Sequence, residues 1–193
     1  SLSLLYWLQH DAPRHDDQPG AYPGLYMDPD TTGTPDGFAK YPYIRESRRI
    51  KAQFTVKEQY IAAYTNPGAD RAPSFTDSIG VGSYRIDLHP STNGKNTIDT
   101  STLPFEIPAG SLIPIRMKNL IPACKNIGAT HITNGCYRLH PVEWNIGESA
   151  AAIASLMLHY HMDVQGIGTH LTELQILLFD QGVEIQWPKL HAL

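Results

Sequence analysis

Hydrophobic and polar residues alternate along the middle of the chain with the two-residue period of β-strands. The alternation predicts strands in RRIKAQFTV (48–56) and in SIGVGSYRIDLH (78–89), where a change of phase at 82–83 predicts a β-bulge. LPFEIPAGSLIPI (103–115) predicts a proline-interrupted strand at a sheet edge, and the apolar run in NLIPACKN (119–126) predicts a buried strand. We expect the middle strands to pair antiparallel.

A different spacing, in which apolar residues recur every three or four positions, predicts helices. The first is SLSLLYWLQH at 1–10, and a short one follows at 55–64, where Glu58 completes a capping-box pattern with the first residue of the segment. Two longer helices are predicted, one from Pro141 to about His161 and one from about Thr169, with Gly182 as its stop. Strands and helices mixed in this order predict an α+β fold with a mixed, largely antiparallel sheet and a few helices.

Turn-forming residues crowd the segment 11–42, which predicts a long loop between the first helix and the strands. The helix before this loop begins at Ser1 without a capping residue. From that missing cap we expect the chain to begin inside a larger protein.

The helix predicted at 141–161 is poor in bulky side chains on one face. Pro141 suits the first helical position because its missing N–H would be unpaired there, so His140 is predicted as the N-cap. The small residues recur at helical spacing and are Gly147, Ala150, Ala151 and Ala154. Such a face either packs tightly in a core or admits another backbone or the flat edge of a ligand. The free N–H groups of the first turn would point at whatever lies before His140.

Composition and charge exclude several classes of function. The chain has 15 basic and 19 acidic residues and a net charge of −4 without a basic run, so we expect no nucleic acid or anionic membrane as partner. No apolar run has the length of a membrane span, and no cleavable signal is visible. Cys124 and Cys136 form no disulfide framework or zinc motif, which favours a reducing, cytoplasmic compartment and predicts no metal site.

Charged residues in two of the predicted strands are candidates for chemistry. Arg45, Arg48 and Arg49 could orient an anionic substrate, because a guanidinium offers a fixed fork of donors, or they could form a solvated face paired with Glu46. Asp87 and His89 stand two apart on one strand face, a spacing that could present a proton donor to a cavity or form a surface pair. Cys136 is predicted to be a small buried side chain.

Three segments occur together and in order: YPYIRESRRI (41–50), DSIGVGSYRIDLH (77–89) and NLIPACKNIGATHITNGCYRLHPVEWNIGESAAAIA (119–154). This combination resembles the FAD-dependent oxidoreductases, with HPVEWNIGESAA as the most specific part. The resemblance covers the chain from near Tyr22 to Trp187. It implies FAD as cofactor and transfer of a hydride between a small-molecule substrate and the flavin.

The resemblance also implies an assignment of domains and of site residues. Residues 1–118 would be a substrate-domain-like region with a long N-terminal loop. Residues 119–193 would be the C-terminal strand and helices of the FAD-binding domain, capping the flavin. The implied cofactor-binding residues are Lys125 and Asn126, near the ribityl chain, and His140, Pro141 and Val142, whose backbone would face the flavin. The implied catalytic residues are Arg45 and His89.

The sequence departs from this family pattern in two ways. Lys125 and Asn126 stand where many flavoproteins place an acidic residue against the ribityl hydroxyls. In addition, no G-x-G-x-x-G turn for the adenosine diphosphate half of FAD is present. We therefore expect the chain to be the C-terminal, substrate-binding and flavin-capping part of a longer flavoprotein.

An alternative interpretation is a non-catalytic domain that self-associates or binds a small polar ligand through its tyrosine-rich loops. Both interpretations leave the small-residue face of the helix at 141–161 without the nucleotide-binding sheet as a packing partner. Exposed apolar surface of this kind is often covered by another chain. We therefore expect a homo-oligomer.

Overall fold

The computed structural model describes residues 2–46, 48–90, 94 and 97–188. These divide into two units, Ser1–Ile44 and Arg45–Leu193. The boundary predicted between residues 118 and 119 stays a prediction.

The first unit contains two helices and a long irregular segment. Helix α1 (Leu2–His10) is confirmed, and none of its residues is buried. The segment after it is irregular as predicted, except for the single turn α2 (Pro29–Thr32), which the Asp28 side chain caps by accepting from the Asp30 N–H. Asp28 and proline at the start of a turn are a common helix-initiating combination.

The second unit is α+β, as predicted, with antiparallel pairing in both of its small sheets. Strand β1 (Ser78–Gly82) pairs with β4 (Phe105–Pro108), and β2 (Ile86–Leu88) pairs with β3 (Ile98–Thr100). Three helices follow: α3 (His131–Tyr137), α4 (His140–His159) and α5 (Leu171–Asp180). Within the described residues β4 has β1 as its sole strand partner, in agreement with the predicted edge position.

Helix α4 packs into the core of this unit. The residues Val142, Ile146, Ile153 and Leu156 are buried along one face and pack with β1 and α5. The Ser149 hydroxyl on the same face donates to the Ile79 carbonyl at 2.6 Å, so α4 is bonded to β1 as well as packed on it. Ala150 is buried and Ala151 is exposed, so the small residues are divided between core and surface.

The prediction of a strand at 48–56 is wrong. Its residues form only two isolated bridges, Ala52 with Pro114 and Val56 with Ala129. Pro114 has no N–H to continue a ladder, and the two bridges run in opposite senses to two different segments. The alternation of apolar residues nevertheless has a cause, because Ala52 and Val56 are both buried.

The helix predicted at 55–64 is also wrong. The structure has two 3₁₀ turns instead, Glu58–Tyr60 and Ala63–Thr65, and no side chain caps the first. The break comes at Ala62, which bridges to Thr102, while the Ala63 N–H donates to the Ser101 carbonyl at 3.0 Å. Backbone groups that would form intrahelical hydrogen bonds in a longer helix pair with the segment before β4 instead.

Two further strand predictions need correction. The segment 119–126 forms no strand, and Pro122 within it could not continue a ladder. Residues 78–89 are two strands with different partners, and the register irregularity lies between Ser78 and Val81 and not at 82–83. Strand β3 and helix α3 were not predicted.

The two long helices were predicted nearly correctly. Helix α4 begins one residue earlier than expected, so Leu139 is its N-cap and His140 is its first residue. Helix α5 ends before Gly182, which has a φ of +78° and follows the helix as predicted. A 3₁₀ segment at Val164–His170 leads into α5.

Candidate functional site

Helix α3 positions the first group of candidate residues against β2. A reciprocal capping box fixes its start: Thr130 Oγ1 accepts from the Thr133 N–H at 3.1 Å, and Thr133 Oγ1 accepts from the Thr130 N–H at 2.9 Å. One turn later, a Cβ on Gly135 would lie 3.1 Å from the Asp87 backbone nitrogen. A larger residue there would press against the strand backbone, because the helix and the strand approach this closely.

That approach places Arg138, at the end of α3, over Asp87. Arg138 is only 6% exposed, and its Nη2 donates to the Asp87 carbonyl at 2.6 Å. Its Nη2 is 3.9 Å from Asp87 Oδ2, and its Nε is 3.3 Å from Glu46 Oε1. The Nε–Oε1 contact is an ion pair without the alignment of a hydrogen bond, and both atoms are buried. A buried guanidinium therefore joins two carboxylates from separate segments.

His89 extends this group to the surface. Its Nε2 lies 3.4 Å from Asp87 Oδ2, an ion pair when the imidazole is protonated. The predicted proximity of Asp87 and His89 is confirmed, and His89 is exposed while Asp87 is half-buried. We call Glu46, Asp87, His89 and Arg138 the arginine cluster.

The three arginines predicted near the substrate have different surroundings. Arg45 and Arg49 are half-buried, and Arg48 is exposed. Glu46, suggested as their partner, forms an ion pair with Arg138. Because Arg45 is the neighbour of Glu46 in the chain, it stands beside the arginine cluster, and its catalytic role stays a prediction.

Lys125 belongs to a second cluster, around the first turn of α4. Glu143 Oε2 accepts from the Cys124 thiol at 2.7 Å, and Glu143 Oε1 lies 4.0 Å from Lys125 Nζ. The side-chain amide of Asn134 donates to the Lys125 carbonyl at 2.8 Å. We call Cys124, Lys125, Asn134 and Glu143 the glutamate cluster. Asn126 follows it in the chain, and its carbonyl accepts from the Ile50 N–H at 3.0 Å.

In the sequence, α4 begins between Arg138 of the arginine cluster and Glu143 of the glutamate cluster. Leu139 gives no side-chain cap, and His140 and Pro141 are exposed while Val142 is buried. Because the first N–H groups of a helix have no intrahelical acceptor, this end offers the N–H donors of His140 and Val142, Pro141 having none. The uncapped helix end can stabilise negative charge placed before it.

The second unit also has an apolar surface groove. This groove of about 440 Å³ is lined mainly by apolar residues, among them Ile50, Pro114, Ile115, Met117 and Leu120, and contains none of the predicted site residues. In the part of the chain that the structure describes, no three His, Cys, Asp or Glu residues are grouped so as to hold a metal. Across the same residues, no helix combines the length and apolar character needed to cross a membrane.

The two cysteines are expected to differ sharply in reactivity. Burial and, secondly, the bond to Glu143 raise the pKa of the Cys124 thiol, so at about pH 8 it should be alkylated more slowly than a free thiol. Cys136 is buried, as predicted, and burial raises the pKa of its thiol strongly. It should react only in the unfolded chain. Labelling with iodoacetamide followed by mass spectrometry measures both rates, and native labelling of Cys136 at the rate of Cys124 would contradict the expectation.

Sequence reasoning missed Arg138 and Glu143 as centres of the two clusters. Arg138 follows a capping box, Thr130 with Thr133, whose third helical position holds threonine in place of the glutamate or glutamine of the usual sequence pattern. For Glu143 the sequence signal was its place in a first helical turn, where an acidic side chain is stabilised by the positive end of the helix dipole.

The comparisons with known proteins agree with the resemblance seen in the sequence. The model of one family, FAD dependent oxidoreductase, matches residues 1–178 of the 193. No curated protein and no solved structure matches the chain significantly. Since the family model covers nearly the whole chain, the two clusters and the uncapped helix between them are parts of a protein that belongs to the FAD-dependent oxidoreductase family.

Proposed function

We propose that this chain supplies the flavin-capping and substrate-facing side of an FAD-dependent oxidoreductase that transfers a hydride between a small-molecule substrate and the flavin. One observation carries the proposal: α4 begins without a side-chain cap, at the exposed residues His140 and Pro141, directly after the buried Arg138. An exposed helix N-terminus of this kind suits a ligand that carries or develops negative charge, as a reduced flavin ring does.

The residues fit one end of FAD and not the other. The N–H donors of the first turn of α4 match the acceptor atoms of a flavin pyrimidine ring, and residues 140–142 are those that the resemblance places there. For the adenosine diphosphate end, the sequence has no G-x-G-x-x-G turn. We therefore assign to this chain the contacts with the flavin ring and its side chain.

FAD, when bound, supplies the two-electron chemistry. The chain's own residues bind and orient. The positive end of α4 stabilises negative charge on a ring placed before His140. His89, held by Asp87, can accept or donate a proton at its imidazole, and Arg45 can orient an anionic group of the substrate.

Titration of the full chain with FAD tests this proposal directly. We expect saturable quenching of flavin fluorescence, with competition by riboflavin, which has the ring, and no competition by ADP, which lacks it. The reason is that the donors of α4 face the ring end of the cofactor. Competition by ADP alone would place binding at the other end of FAD and contradict the assignment. A chain that leaves flavin fluorescence unchanged would favour the non-catalytic alternative.

Self-association of the chain is a separate proposal. Trp144 is 73% exposed and Leu158 is 78% exposed, and both lie on the side of α4 that also exposes Ala151. Burying such a stripe against a second copy would remove apolar surface from water. Sedimentation velocity is expected to show at least a dimer that Leu158→Glu dissociates. A monomer that unfolds in one cooperative transition would contradict it.

A further inference from the structure

The apolar groove of about 440 Å³ lies outside the arginine and glutamate clusters, and none of their residues lines it. Two segments of the second unit form its walls, residues 50–51 and residues 114–120. Three large apolar side chains of the second segment are exposed there: Ile115, Met117 and Leu120. Apolar surface gathered in a concave site of this size is typical of a small-molecule site.

Hydrogen bonds fix both walls of the groove. The Ile115 N–H donates to the Lys51 carbonyl at 2.9 Å, which ties one wall to the other. From the 3₁₀ segment before α5, the side-chain amide of Gln165 donates to the Pro114 carbonyl at 2.5 Å. The groove is therefore formed before a ligand arrives, and a preorganised site loses less entropy on binding.

The charged groups that line the groove are both positive. Lys51 and Arg116 are exposed, and no carboxylate lines the groove among the described residues. Within the same part of the chain, neither side chain has a hydrogen bond or an ion pair. Since the chain has 15 basic and 19 acidic residues, two unopposed cations beside an apolar surface are a local feature and not a consequence of the overall charge.

An apolar ligand with one carboxylate would satisfy both features of the groove. Its apolar part would cover the exposed side chains, and its carboxylate would accept from the guanidinium of Arg116 and attract the ammonium group of Lys51. A small inorganic anion would leave the apolar surface in water, and a cationic amphiphile would be repelled. The described lining residues include no aromatic ring for stacking, so an aliphatic chain fits better than an aromatic one.

We propose that this groove binds a free aliphatic carboxylate of medium chain length, with the chain along Ile115, Met117 and Leu120 and the carboxylate at Arg116 and Lys51. The site is separate from the residues assigned to the flavin, since none of them lines the groove. The inference therefore stands or falls independently of the proposed function.

Calorimetric titration of the full chain with acetate, hexanoate and octanoate tests the role of the apolar surface. A fully buried methylene group strengthens binding about fourfold, and in a groove that is open on one side we expect about twofold for each. Octanoate should then bind about fourfold more tightly than hexanoate, and acetate should not bind measurably. Octanol has the same chain without the charge and should bind about fivefold more weakly than octanoate.

Arg116→Met tests the role of the charge. The substitution keeps an apolar stem and removes the guanidinium at an exposed position, so octanoate should bind about fivefold more weakly while octanol changes less than about twofold. Lys118→Met is the matched control. It removes one positive charge from the same segment, but Lys118 does not line the groove and pairs with Asp163, so neither ligand should change more than about twofold.

The other possible occupants of the groove give different results. Equal binding of octanoate and octanol, or an Arg116→Met variant that binds octanoate like the unchanged chain, would overturn the assignment of a carboxylate. If octanoate binding weakens as the protein concentration rises, a second copy of the chain covers the groove and the proposal is overturned. Co-sedimentation with phosphatidylglycerol vesicles without binding of octanoate would assign the groove to a lipid surface and overturn it as well. Octanoate should bind whether or not the chain quenches flavin fluorescence.

Discussion

Replacing Arg138 with methionine is expected to lower the free energy of unfolding by about 3 kcal/mol. Methionine fills most of the volume, but it leaves the Asp87 carbonyl without its donor and the carboxylates of Glu46 and Asp87 without their shared cation. Removing one member of a buried ionic group costs about 3–5 kcal/mol, and the lower end applies because the two carboxylate side chains are 28% and 29% exposed to water. Urea unfolding followed by circular dichroism measures the change.

The neighbouring pair of Arg85 and Asp99 is the matched control. It joins the residue before β2 to β3 at the surface, with both side chains more than half exposed, so Arg85→Met should cost less than about 1 kcal/mol. If Glu46→Gln is added to the Arg138→Met variant, part of the lost stability should return, because one uncompensated charge is removed. Arg138→Met with the stability of Arg85→Met would show that the arginine cluster does not hold α3 on β2.

Long periodic segments could be predicted from the sequence because their pattern depends on local spacing. Helix α4 has buried residues at Val142, Ile146 and Ile153, and this spacing is visible without knowledge of its partners. Its N-terminus was misplaced by one residue, since Pro141 suits either of the first positions of a helix.

The predictions that were wrong concern segments whose conformation depends on residues distant in the sequence. Ala52 and Val56 show the alternation of a strand, but Pro114 and Ala129, far along the chain, allow each only one bridge. Likewise, the helix expected after Thr55 gives way to pairing of Ala62 with Thr102. The spacing of apolar residues indicates which residues are buried. It does not indicate how many backbone hydrogen bonds those residues form with other segments.

Within the candidate site, too, the contacts between sequence neighbours could be predicted and the contacts between distant residues could not. The proximity of Asp87 and His89 could be predicted because two residues apart on an extended segment share a face. The contact of Glu46 with Arg138 joins residues far apart in the chain, so no local spacing indicates it. Asn134 and Glu143 both contact Lys125, one at its carbonyl and the other at its ammonium group, because α3 and the turn into α4 bring together residues that no local motif connects.

Gly128→Ala is expected to be at least as damaging as the loss of Arg138. A Cβ at this position would lie 2.4 Å from the Phe54 carbonyl oxygen and 2.5 Å from the Ala52 Cβ, and neither atom can move without its backbone. Gly128 also donates to the Ser111 carbonyl at 2.8 Å and accepts from the Val56 N–H at 2.8 Å, so separating the segments would break the bonds that join them. Overpacking costs about 1–3 kcal/mol where side chains can adjust, and a clash with backbone should exceed that range. Urea unfolding, together with the yield of folded protein, measures it.

Gly147→Ala, the same substitution within α4, should have the opposite sign. The nearest atom to the added methyl group is the Ala123 carbonyl oxygen at 3.5 Å, an ordinary contact, and alanine is favoured over glycine in a helix by about 0.5–1 kcal/mol. The two variants add the same group to the same chain, so their difference isolates the space available at each glycine. If the two variants had equal free energies of unfolding, the segments around Ala52, Ser111 and Gly128 could separate without a loss of stability. Their close approach would then not support the sheet on which α4 packs.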